Sequence, residues 1–482
     1  MTMKVLSIAS EMAPLIKTGG LADVVGALPA ALAPHGVELT TFLPGYPAVL
    51  KAIGKAKAVH TWDDLLGAPA RLLAGKSGGH PLLVLDAPRY FARPGGPYGD
   101  AAGHDWLDNW HRFAAFGRAG ADVAAGAVAG QAFTLVHAHD WQAAMALAYL
   151  RFASGGGASP SVMTIHNMAF QGHYGADVFP ALALPAEAFA LDGVEYHGGV
   201  GFLKAGLEAA SAITTVSPTY AREIRSPAFG MGLDGLIRSR GGRVSGIVNG
   251  IDPAHWNPAT DAALAARYSV RTPGQRRANK RAIEAEFGLE RDEGPLFVVI
   301  SRLTWQKGID VLLEVLDHLA GIGGRLAVLG AGDAMLEGGL HAAAARHPGR
   351  IGVRTGYDEA LSHRMLGGGD AILVPSRFEP CGLTQLYGLA YGCVPVVSRT
   401  GGLADTVIDA NFAALAAGVA TGLQFDGVSY PALAEALTRT VALYGQQDAW
   451  RSVQRAGMKS DFSWGRSGKA YADLYTSLTG TT

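Results

Sequence analysis

The sequence predicts an α/β protein made of two doubly wound, Rossmann-like domains, each a parallel sheet with helices on both faces. Three observations support this fold class. The chain has 482 residues, more than one hydrophobic core usually serves. Short apolar runs alternate with segments of helical periodicity along most of its length. A proline-rich break, "NGIDPAHWNPAT" at 249–260, interrupts this alternation, so we place the domains at residues 1–250 and 251–461.

The first domain begins with a strand-like run, "KVLSIAS" at 4–10, followed by apolar residues at helical spacing from Leu21 to Leu32. Pro29 is expected to kink or shorten that helix. Lys17 to Gly20 therefore fall in a strand-to-helix loop. Further predicted strands are "TLVHAHD" (134–140), "SVMTIHN" (161–167), "AITTVSP" (212–218) and "RVSGIVNGID", which ends with Asn249-Gly250 at a strand edge.

The second domain repeats the pattern after the break. Its predicted strands lie at the start of 295–319, in 325–333, in "DAILVPSRFEP" (370–380) and in "VPVVSRTGGLADTVID" (394–409). Open parallel sheets bind ligands at the carboxyl ends of their strands, where the strand order reverses. Two such sheets facing each other are expected to place one site in the cleft between them.

Charge and cysteine content narrow the class of partner and compartment. The 40 Lys and Arg residues nearly balance 41 Asp and Glu residues, so we expect no nucleic-acid partner and no anionic membrane. Cys381 and Cys393 are the chain's only cysteines and are typical of reduced thiols. The sequence shows neither a signal-peptide core nor an uncharged apolar run of membrane-spanning length. We expect a cytoplasmic protein.

The loop "IKTGGLADVVGALP" (16–29) has the composition of a phosphate cradle, but its lysine precedes its glycines. A P-loop has the opposite order, and the nearest approach to one, "ARLLAGKS" (70–77), has Ala70 where the first glycine is required. No G-x-G-x-x-G follows the opening strand. These features disfavour a P-loop ATPase and a dinucleotide-dependent oxidoreductase.

Polar residues recur at the predicted strand ends. The first domain has Glu11, Lys17, Asp23, His139, Asp140, His166, Asn167 and Asn249, and the second has Arg302, Lys307, Tyr357, Glu379 and the loop "TGG" (400–402). For any one of these residues, helix capping or a turn is the more common explanation. Their joint placement at one edge of each sheet favours a binding site.

Two segments of the second domain are more specific. In "SRLTWQKG" (301–308), Arg302 and Lys307 lie in one loop that leads into a helix, where free backbone N–H groups and the helix dipole favour an anion. In "RFEPCGLTQLYGLAYG" (377–392), Glu379 precedes a second helix start that suits a diphosphate. A carboxylate at that place suits sugar hydroxyls; the alternative is that Glu379 only complements the helix dipole.

Together these segments resemble the bacterial and plant glycogen (starch) synthase family, retaining glucosyltransferases with two Rossmann-like domains in the GT-B arrangement. The matching signatures run in order over nearly the whole chain: "KTGGLADV", "HAHDWQ", "TIHN", "VNGID", "SRLTWQKG", "GYDE", "SRFEPCGLTQLYG" and "RTGGLADTV". "DFSW" (461–464) also matches, and in the family the last helix, here 462–482, packs back onto the first domain. Many larger relatives carry a second glutamate where this chain has Tyr387.

The resemblance implies an acceptor-side first domain, a nucleotide-sugar-binding second domain and transfer of α-D-glucose from ADP-glucose to the non-reducing end of an α-1,4-glucan such as glycogen, with retention and release of ADP. Lys17, Gly19 and Gly20 are expected to approach the donor's diphosphate from the first domain. Arg302 and Lys307 are expected to approach it from the second.

The resemblance also assigns the remaining site residues. Asp23 and Asn249 are expected to line the cleft, and Glu379 to hold the 3- and 4-hydroxyls of the donor glucose. The sugar and the distal phosphate are expected to meet the backbone of Cys381, Gly382, Leu383 and Thr384. His166 is placed beside the glucose and Tyr357 against the nucleoside base. The acceptor is expected near Asp140 and Trp141, with Tyr98 a weaker candidate.

No metal cofactor is expected. The chain has no D-x-D, and the adjacent Asp63 and Asp64 lie in a predicted surface stretch. His137 and His139 share a strand face, but no third His or Cys lies nearby in sequence, which disfavours zinc. Cys381 at a helix start is a candidate for a lowered pKa, although packing near the sugar is favoured over a catalytic thiol.

Alternatives to this function differ from it in the acceptor, in the activity or in the donor. Another retaining glycosyltransferase with a different acceptor fits the same motifs. A non-catalytic glucan-binding module would tolerate loss of Lys17, Arg302 or Glu379, and the chain keeps all three. Physical reasoning does not separate ADP-glucose from UDP-glucose; the resemblance alone favours ADP-glucose.

Overall fold

The computed structural model describes residues 2–100, 103–153 and 159–480. The chain divides into two compact units. The N-terminal unit comprises Met1–Gly250 and Trp464–Thr482, and the C-terminal unit comprises Ile251–Ser463.

The N-terminal unit contains a nine-stranded sheet flanked by helices. Its strands, including those of a small three-stranded sheet, are β1 Met3–Ile8, β2 Val37–Pro44, β3 Lys57–Trp62, β4 Ala70–Ser77, β5 His80–Asp86, β6 Leu135–His139, β7 Ser161–Ile165, β8 His173–Tyr174, β9 Glu195–Tyr196, β10 Gly199–Gly201, β11 Ala212–Thr215 and β12 Val244–Gly246. Its helices are α1 Gly20–Leu32, α2 Pro47–Ile53, α3 Pro88–Phe91, α4 Asn109–Ala124, α5 Asp140–Phe152, α6 Phe202–Ala209, α7 Pro218–Glu223, α8 Pro227–Gly230, α9 Asp234–Ser239 and the terminal helix Trp464–Thr479.

The strand order of the large sheet is β12-β11-β7-β6-β1-β2-β5-β4-β3. It is parallel from β12 to β5, and β4 and β3 extend it as antiparallel strands. The order reverses between β1 and β6, so the loops after these two strands meet at the switch point where such sheets bind ligands. The segment after β1 carries Lys17 to Gly19 and leads into α1 at Gly20, and α5 begins at Asp140 directly after β6.

The C-terminal unit has a six-stranded parallel sheet in the order β15-β14-β13-β16-β17-β18. Its strands are β13 Leu296–Ile300, β14 Arg325–Gly330, β15 Ile351–Thr355, β16 Ala371–Val374, β17 Val394–Ser398 and β18 Leu423–Phe425. Its helices are α10 Arg276–Glu286, α11 Ile309–Glu314, α12 Leu316–Gly321, α13 Ala334–Arg346, α14 Glu359–Gly368, α15 Thr384–Tyr391, α16 Gly401–Thr406, α17 Phe412–Ala416, α18 Tyr430–Gly445 and α19 Gln447–Lys459. Here the switch point lies between β13 and β16.

The predicted fold class, α/β with doubly wound parallel sheets, is confirmed. Two local expectations were wrong. Helix α1 continues past Pro29 to Leu32, because Leu28 and Leu32 are fully buried on its apolar face and offset the one hydrogen bond that proline removes. Glu379 does not end a strand, since β16 stops at Val374. The segment "ARLLAGKS" forms strand β4, which agrees with the expectation that it is not a P-loop.

The terminal helix packs on α1. Gly468 approaches so closely that a Cβ there would lie 2.3 Å from the carbonyl oxygen of Ala31. Tyr471 and Tyr475 are fully buried in the same cluster, and Ser467 Oγ donates a 2.6 Å hydrogen bond to the carbonyl of Val248. In the described part of the chain, no helix has both the length and the apolar character needed to span a membrane.

Candidate functional site

The glycine-rich loop of the N-terminal unit carries an exposed ion pair. Lys17 Nζ lies 2.7 Å from Asp23 Oδ1, and the two side chains are 42% and 28% exposed. An exposed pair of this kind contributes little to stability, so Lys17 is free to exchange its carboxylate partner for another anion. The structure therefore brings two predicted donor-site residues together.

Gly19 and Gly20 face open space. A Cβ at either position would meet nothing within 4 Å, and Gly19 has an extended backbone with φ −160° that any residue adopts. Neither backbone strain nor packing among the described residues requires glycine here. Close approach of a ligand to this loop, which glycine would permit, stays a prediction.

The buried carboxylate of Glu11 anchors the glycine-rich loop through hydrogen bonds from Thr18. Glu11 is 2% exposed, and its Oε1 accepts a 2.6 Å hydrogen bond from Thr18 Oγ1. Its Oε2 accepts from the backbone N–H of Thr18, and its Oε1 also accepts from the Tyr98 hydroxyl. The sequence marked Glu11 only as a polar residue at a strand end; its anchoring role needed the fold.

Tyr98, predicted as a weaker acceptor contact, has its hydroxyl engaged by Glu11 and by Ser10 Oγ at 2.8 Å. Burial raises the pKa of Tyr98 well above its ordinary value, and the charge of Glu11 adds to the effect. Tyr98 is therefore a neutral phenol that supports the loop. A direct contact with the acceptor stays a prediction.

Two buried histidines, His137 and His139, lie in β6, and a third, His166, directly follows β7. His139 Nδ1 lies 3.0 Å from His166 Nε2, and His137 Nδ1 lies 2.7 Å from the Tyr475 hydroxyl of the terminal helix. Burial lowers the pKa values of His137 and His166 to about 3 and that of His139 well below 6.5. All three rings are neutral at physiological pH, so His166 acts as a polar group and not as a cation.

Asp140 begins α5 with φ +55°, a conformation that costs a non-glycine residue energy and is frequent at functional sites. Its Oδ1 accepts a 2.7 Å hydrogen bond from the backbone N–H of His166. Burial raises the pKa of this carboxyl to about 7, although the backbone hydrogen bonds from His166 and Asn167 oppose the shift. Asp140 is thus poised to change charge near neutral pH.

Trp141 and Asn249 lie in different surroundings. The Trp141 ring is 8% exposed and packs edge-on against Phe113 with ring centroids 5.0 Å apart. It is chiefly a core residue, and its predicted acceptor contact is untested. Asn249 is 5% exposed, and its Oδ1 accepts no hydrogen bond within the described residues. A buried acceptor without a hydrogen-bond donor costs folding free energy. This is consistent with the prediction that Asn249 lines the ligand site.

In the C-terminal unit, the loops after β13 and β16 meet through Lys307 and Glu379. Lys307 Nζ lies 2.5 Å from Glu379 Oε2, and the side chains are 18% and 8% exposed. Ser376 Oγ donates to the same oxygen at 2.8 Å, while Oε1 takes no part in either contact. The predicted phosphate ligand Lys307 therefore also orients the predicted sugar ligand Glu379.

A second ion pair ties the two loops together. Arg377 donates to both carboxylate oxygens of Asp310 at 2.6 Å, and its guanidinium lies 4.4 Å from the centroid of the Trp305 ring. Gln306 Nε2 also donates to the carbonyl of Phe378 at 3.2 Å. Sequence reasoning missed these contacts, although every residue except Asp310 lies within a quoted signature.

The start of α15 is shaped by its glycine turn. Gly382 has φ +71°, and Gln385 Nε2 donates to the carbonyls of Cys381 and Gly382 at 3.1 and 2.9 Å. Leu383 is the N-cap and Thr384 the first helical residue. The first N–H groups of a helix have no intrahelical partner, so this turn presents donors suited to an anion.

Arg302 and Tyr357 are exposed. Arg302 follows β13 and has no ion pair within the parts of the chain that are described. The Tyr357 side chain is 79% exposed, and its hydroxyl donates to Glu359 Oε2 at 2.7 Å. An exposed aromatic ring and an uncompensated guanidinium are suited to a base and a phosphate; both roles remain predictions.

Comparison with known proteins gives a consistent result. Residues 4–239 match the family described as starch synthase catalytic domain, and residues 280–455 match glycosyl transferases group 1. The chain is 75% identical over 480 residues to a glycogen synthase of Novosphingobium aromaticivorans, with 99% of each chain covered. It is 61% identical over 476 residues to a glycogen synthase of Mesorhizobium japonicum, again with 99% of each covered.

The structure also matches a solved relative over its full length. The catalytic domain of starch synthase IV from Arabidopsis thaliana, bound to ADP and acarbose, aligns with a TM-score of 0.86 and 29% identity over 100% of both chains. The sequence identities to the two bacterial relatives extend over nearly the whole of each chain. They are far higher than the identities between proteins that share only a fold. The chain therefore belongs to the glycogen synthase family of glycosyltransferases.

Proposed function

We propose that this enzyme transfers α-D-glucose from ADP-glucose to the non-reducing end of an α-1,4-glucan, with retention of configuration and release of ADP. The observation that carries the proposal is the contact of Lys307 with Glu379 beside the start of α15, at the switch point of the C-terminal sheet. A cation, a carboxylate and free helix amides together suit a sugar joined to a diphosphate.

Glu379 is proposed to bind the hydroxyls of the donor glucose. Lys307 and Ser376 fix its Oε2, which leaves Oε1 to accept hydrogen bonds from a ligand. Because the side chain is 8% exposed, a bond from a sugar hydroxyl to this oxygen forms where little water competes. The backbone of residues 381–384 is proposed to contact the sugar and the distal phosphate.

The charge of the leaving diphosphate is proposed to be stabilised without a metal ion. Arg302 and Lys307 supply positive charge, and the first turn of α15 supplies N–H donors. Lys17 of the N-terminal unit stays a predicted donor contact, supported by its weakly held ion pair and its open glycine loop. Such preorganised groups are most effective where charge develops during the reaction.

ADP-glucose is proposed as the donor because the signatures follow the bacterial and plant branch of the family and because starch synthase IV was solved with ADP bound. The activity is proposed to reside in the cytoplasm, in keeping with two cysteines that are free thiols.

The decisive experiment is a transfer assay with radiolabelled ADP-glucose and UDP-glucose, using glycogen as the acceptor. ADP-glucose is expected to give the higher kcat/KM. A clear preference for UDP-glucose would refute the donor assignment. Incorporation of label into other glycans but not into glycogen would refute the acceptor assignment.

A further inference from the structure

Two histidines and a glutamate converge in the C-terminal unit, on residues other than those proposed above to hold the donor. His255, Glu359 and His363 each offer one ligand atom, and these atoms lie within 4.8 Å of one another. His255 Nε2 is already 3.0 Å from Glu359 Oε1. Glu359 and His363 are four residues apart on α14, which places them on one face of the helix.

His363 is fixed as metal-binding histidines usually are. The ring is buried, and its Nδ1 lies 2.8 Å from Asp261 Oδ2 and 2.9 Å from the Tyr391 hydroxyl. Trp256 stacks on it at 4.1 Å between centroids. A carboxylate behind one ring nitrogen orients a histidine and raises the basicity of the other nitrogen. Nε2 is therefore the nitrogen left for a metal.

A hydrogen bond from a neighbouring side chain also orients Glu359. The Tyr357 hydroxyl donates to its Oε2 at 2.7 Å, so Oε1 is the oxygen turned toward His255. A surface ion pair between His255 and Glu359 accounts for their contact. It does not account for the third group, the buried His363. The Nδ1 of this ring contacts the carboxylate of Asp261, whose side chain is 7% exposed.

The ligand set identifies the class of ion. Two imidazoles and one carboxylate, with a water in the fourth position, form a common tetrahedral zinc site. Zinc bonds of about 2.0–2.1 Å place ligand atoms about 3.3 Å apart, so the widest separation must close by up to about 1.5 Å. The His255 and Glu359 side chains are 52% and 45% exposed and have the freedom to rotate inward.

We propose that His255, Glu359 and His363 bind one Zn²⁺ ion, with Asp261 positioning His363. The existence of this site does not depend on the transfer chemistry proposed above, although Tyr357, the predicted contact of the nucleoside base, also donates to Glu359.

The test is equilibrium dialysis of the untagged full-length protein against micromolar Zn²⁺, with Co²⁺ as a spectroscopic probe. We expect one ion per chain and an intense visible Co²⁺ band typical of tetrahedral coordination. His255→Ala and Glu359→Gln change exposed side chains and are each expected to weaken binding at least about tenfold. Both cysteines are buried, so Co²⁺–thiolate absorption should be absent.

His341→Ala is the matched control. His341 is an exposed histidine of the same unit, and its Nε2 lies 3.2 Å from a hydroxyl, Thr355 Oγ1. Zinc binding should be unchanged in this variant. Binding that survives intact in His255→Ala, or that is lost equally in His341→Ala, would overturn the proposal, as would wild-type protein that binds no ion at these concentrations.

Discussion

Glu379→Gln tests the central pair of the proposed donor site while keeping the shape of the side chain. At the 2.5 Å separation of Lys307 Nζ and Glu379 Oε2, the gross attraction is about 7 kcal/mol for an effective dielectric constant of 20. Desolvation cancels much of this, and removing one partner of a buried pair costs about 3–5 kcal/mol. Lys307 is 18% exposed and the glutamine oxygen still accepts, so we expect a loss of about 2 kcal/mol.

The same change should reduce catalysis far more than nucleotide binding. If hydrogen bonds from the glucose hydroxyls to Glu379 tighten in the transition state, their loss costs about 3 kcal/mol, or about a hundredfold in kcat. ADP carries no glucose, so its Kd should change by less than about threefold. Initial rates of ADP release give kcat, titration calorimetry gives the ADP affinity, and urea unfolding gives the stability.

Glu293→Gln is the matched control for removal of a carboxylate. Glu293 is 74% exposed and pairs with Arg277 at 3.0 Å, so this variant should keep the wild-type kcat. A folded Glu379→Gln enzyme with kcat within about threefold of wild type would remove Glu379 from the reacting site. ADP affinity that falls in parallel with kcat would show that Glu379 shapes the nucleotide site and does not act on the sugar.

Three further predictions address charge. Arg302→Ala and Lys307→Ala should each lose most of kcat, on the order of a hundredfold, and remain folded by circular dichroism; near-normal rates would contradict their role. Turnover should survive exhaustive EDTA treatment, and activity lost to EDTA and restored by Mg²⁺ or Mn²⁺ would overturn the metal-free mechanism. Burial raises the pKa of Asp140 to about 7 in the folded protein, whereas an unfolded chain has an Asp pKa of about 3.9. As the pH rises between these values, the Asp140 carboxyl ionises in the unfolded chain but keeps its proton in the folded protein. The free energy of unfolding therefore falls over this pH range. Asp140→Asn should therefore gain stability over wild type by about 2–4 kcal/mol at pH 8 and little at pH 4, and an equal gain at both pH values in urea unfolding would contradict the shift.

The parallel strands were predictable because strands that are buried on both faces have a distinctive sequence pattern. Runs such as Leu135–His139 and Ser161–Ile165 are buried at every position, and a strand covered on both faces must be nearly continuous in apolar or hydrogen-bonded residues. The antiparallel extension was not predicted. Strand β3, Lys57–Trp62, has no fully buried residue, so its sequence carries no apolar alternation strong enough to mark it.

The individual site residues were predictable from local signatures, but their contacts were not. Lys307 and Glu379 lie 72 residues apart, and they meet because β13 and β16 are neighbours in the sheet. Strand order depends on how all the helices and strands pack together. The same holds for His255, which lies 104 residues from Glu359 and contains no local signal of its own.

Arg302 and Lys307 have different surroundings in the structure, although the sequence assigned both cations to the donor's diphosphate. Lys307 is already bonded to Glu379, and the Arg377–Asp310 pair holds their two loops together before any ligand binds. A phosphate at Lys307 must therefore share that ammonium with a carboxylate, which reduces its net positive charge. Arg302 is exposed and carries no such partner among the described residues. Because developing charge is stabilised best by a group that is not already neutralised, we expect Arg302 to be the stronger phosphate ligand and Lys307 to act chiefly by orienting Glu379.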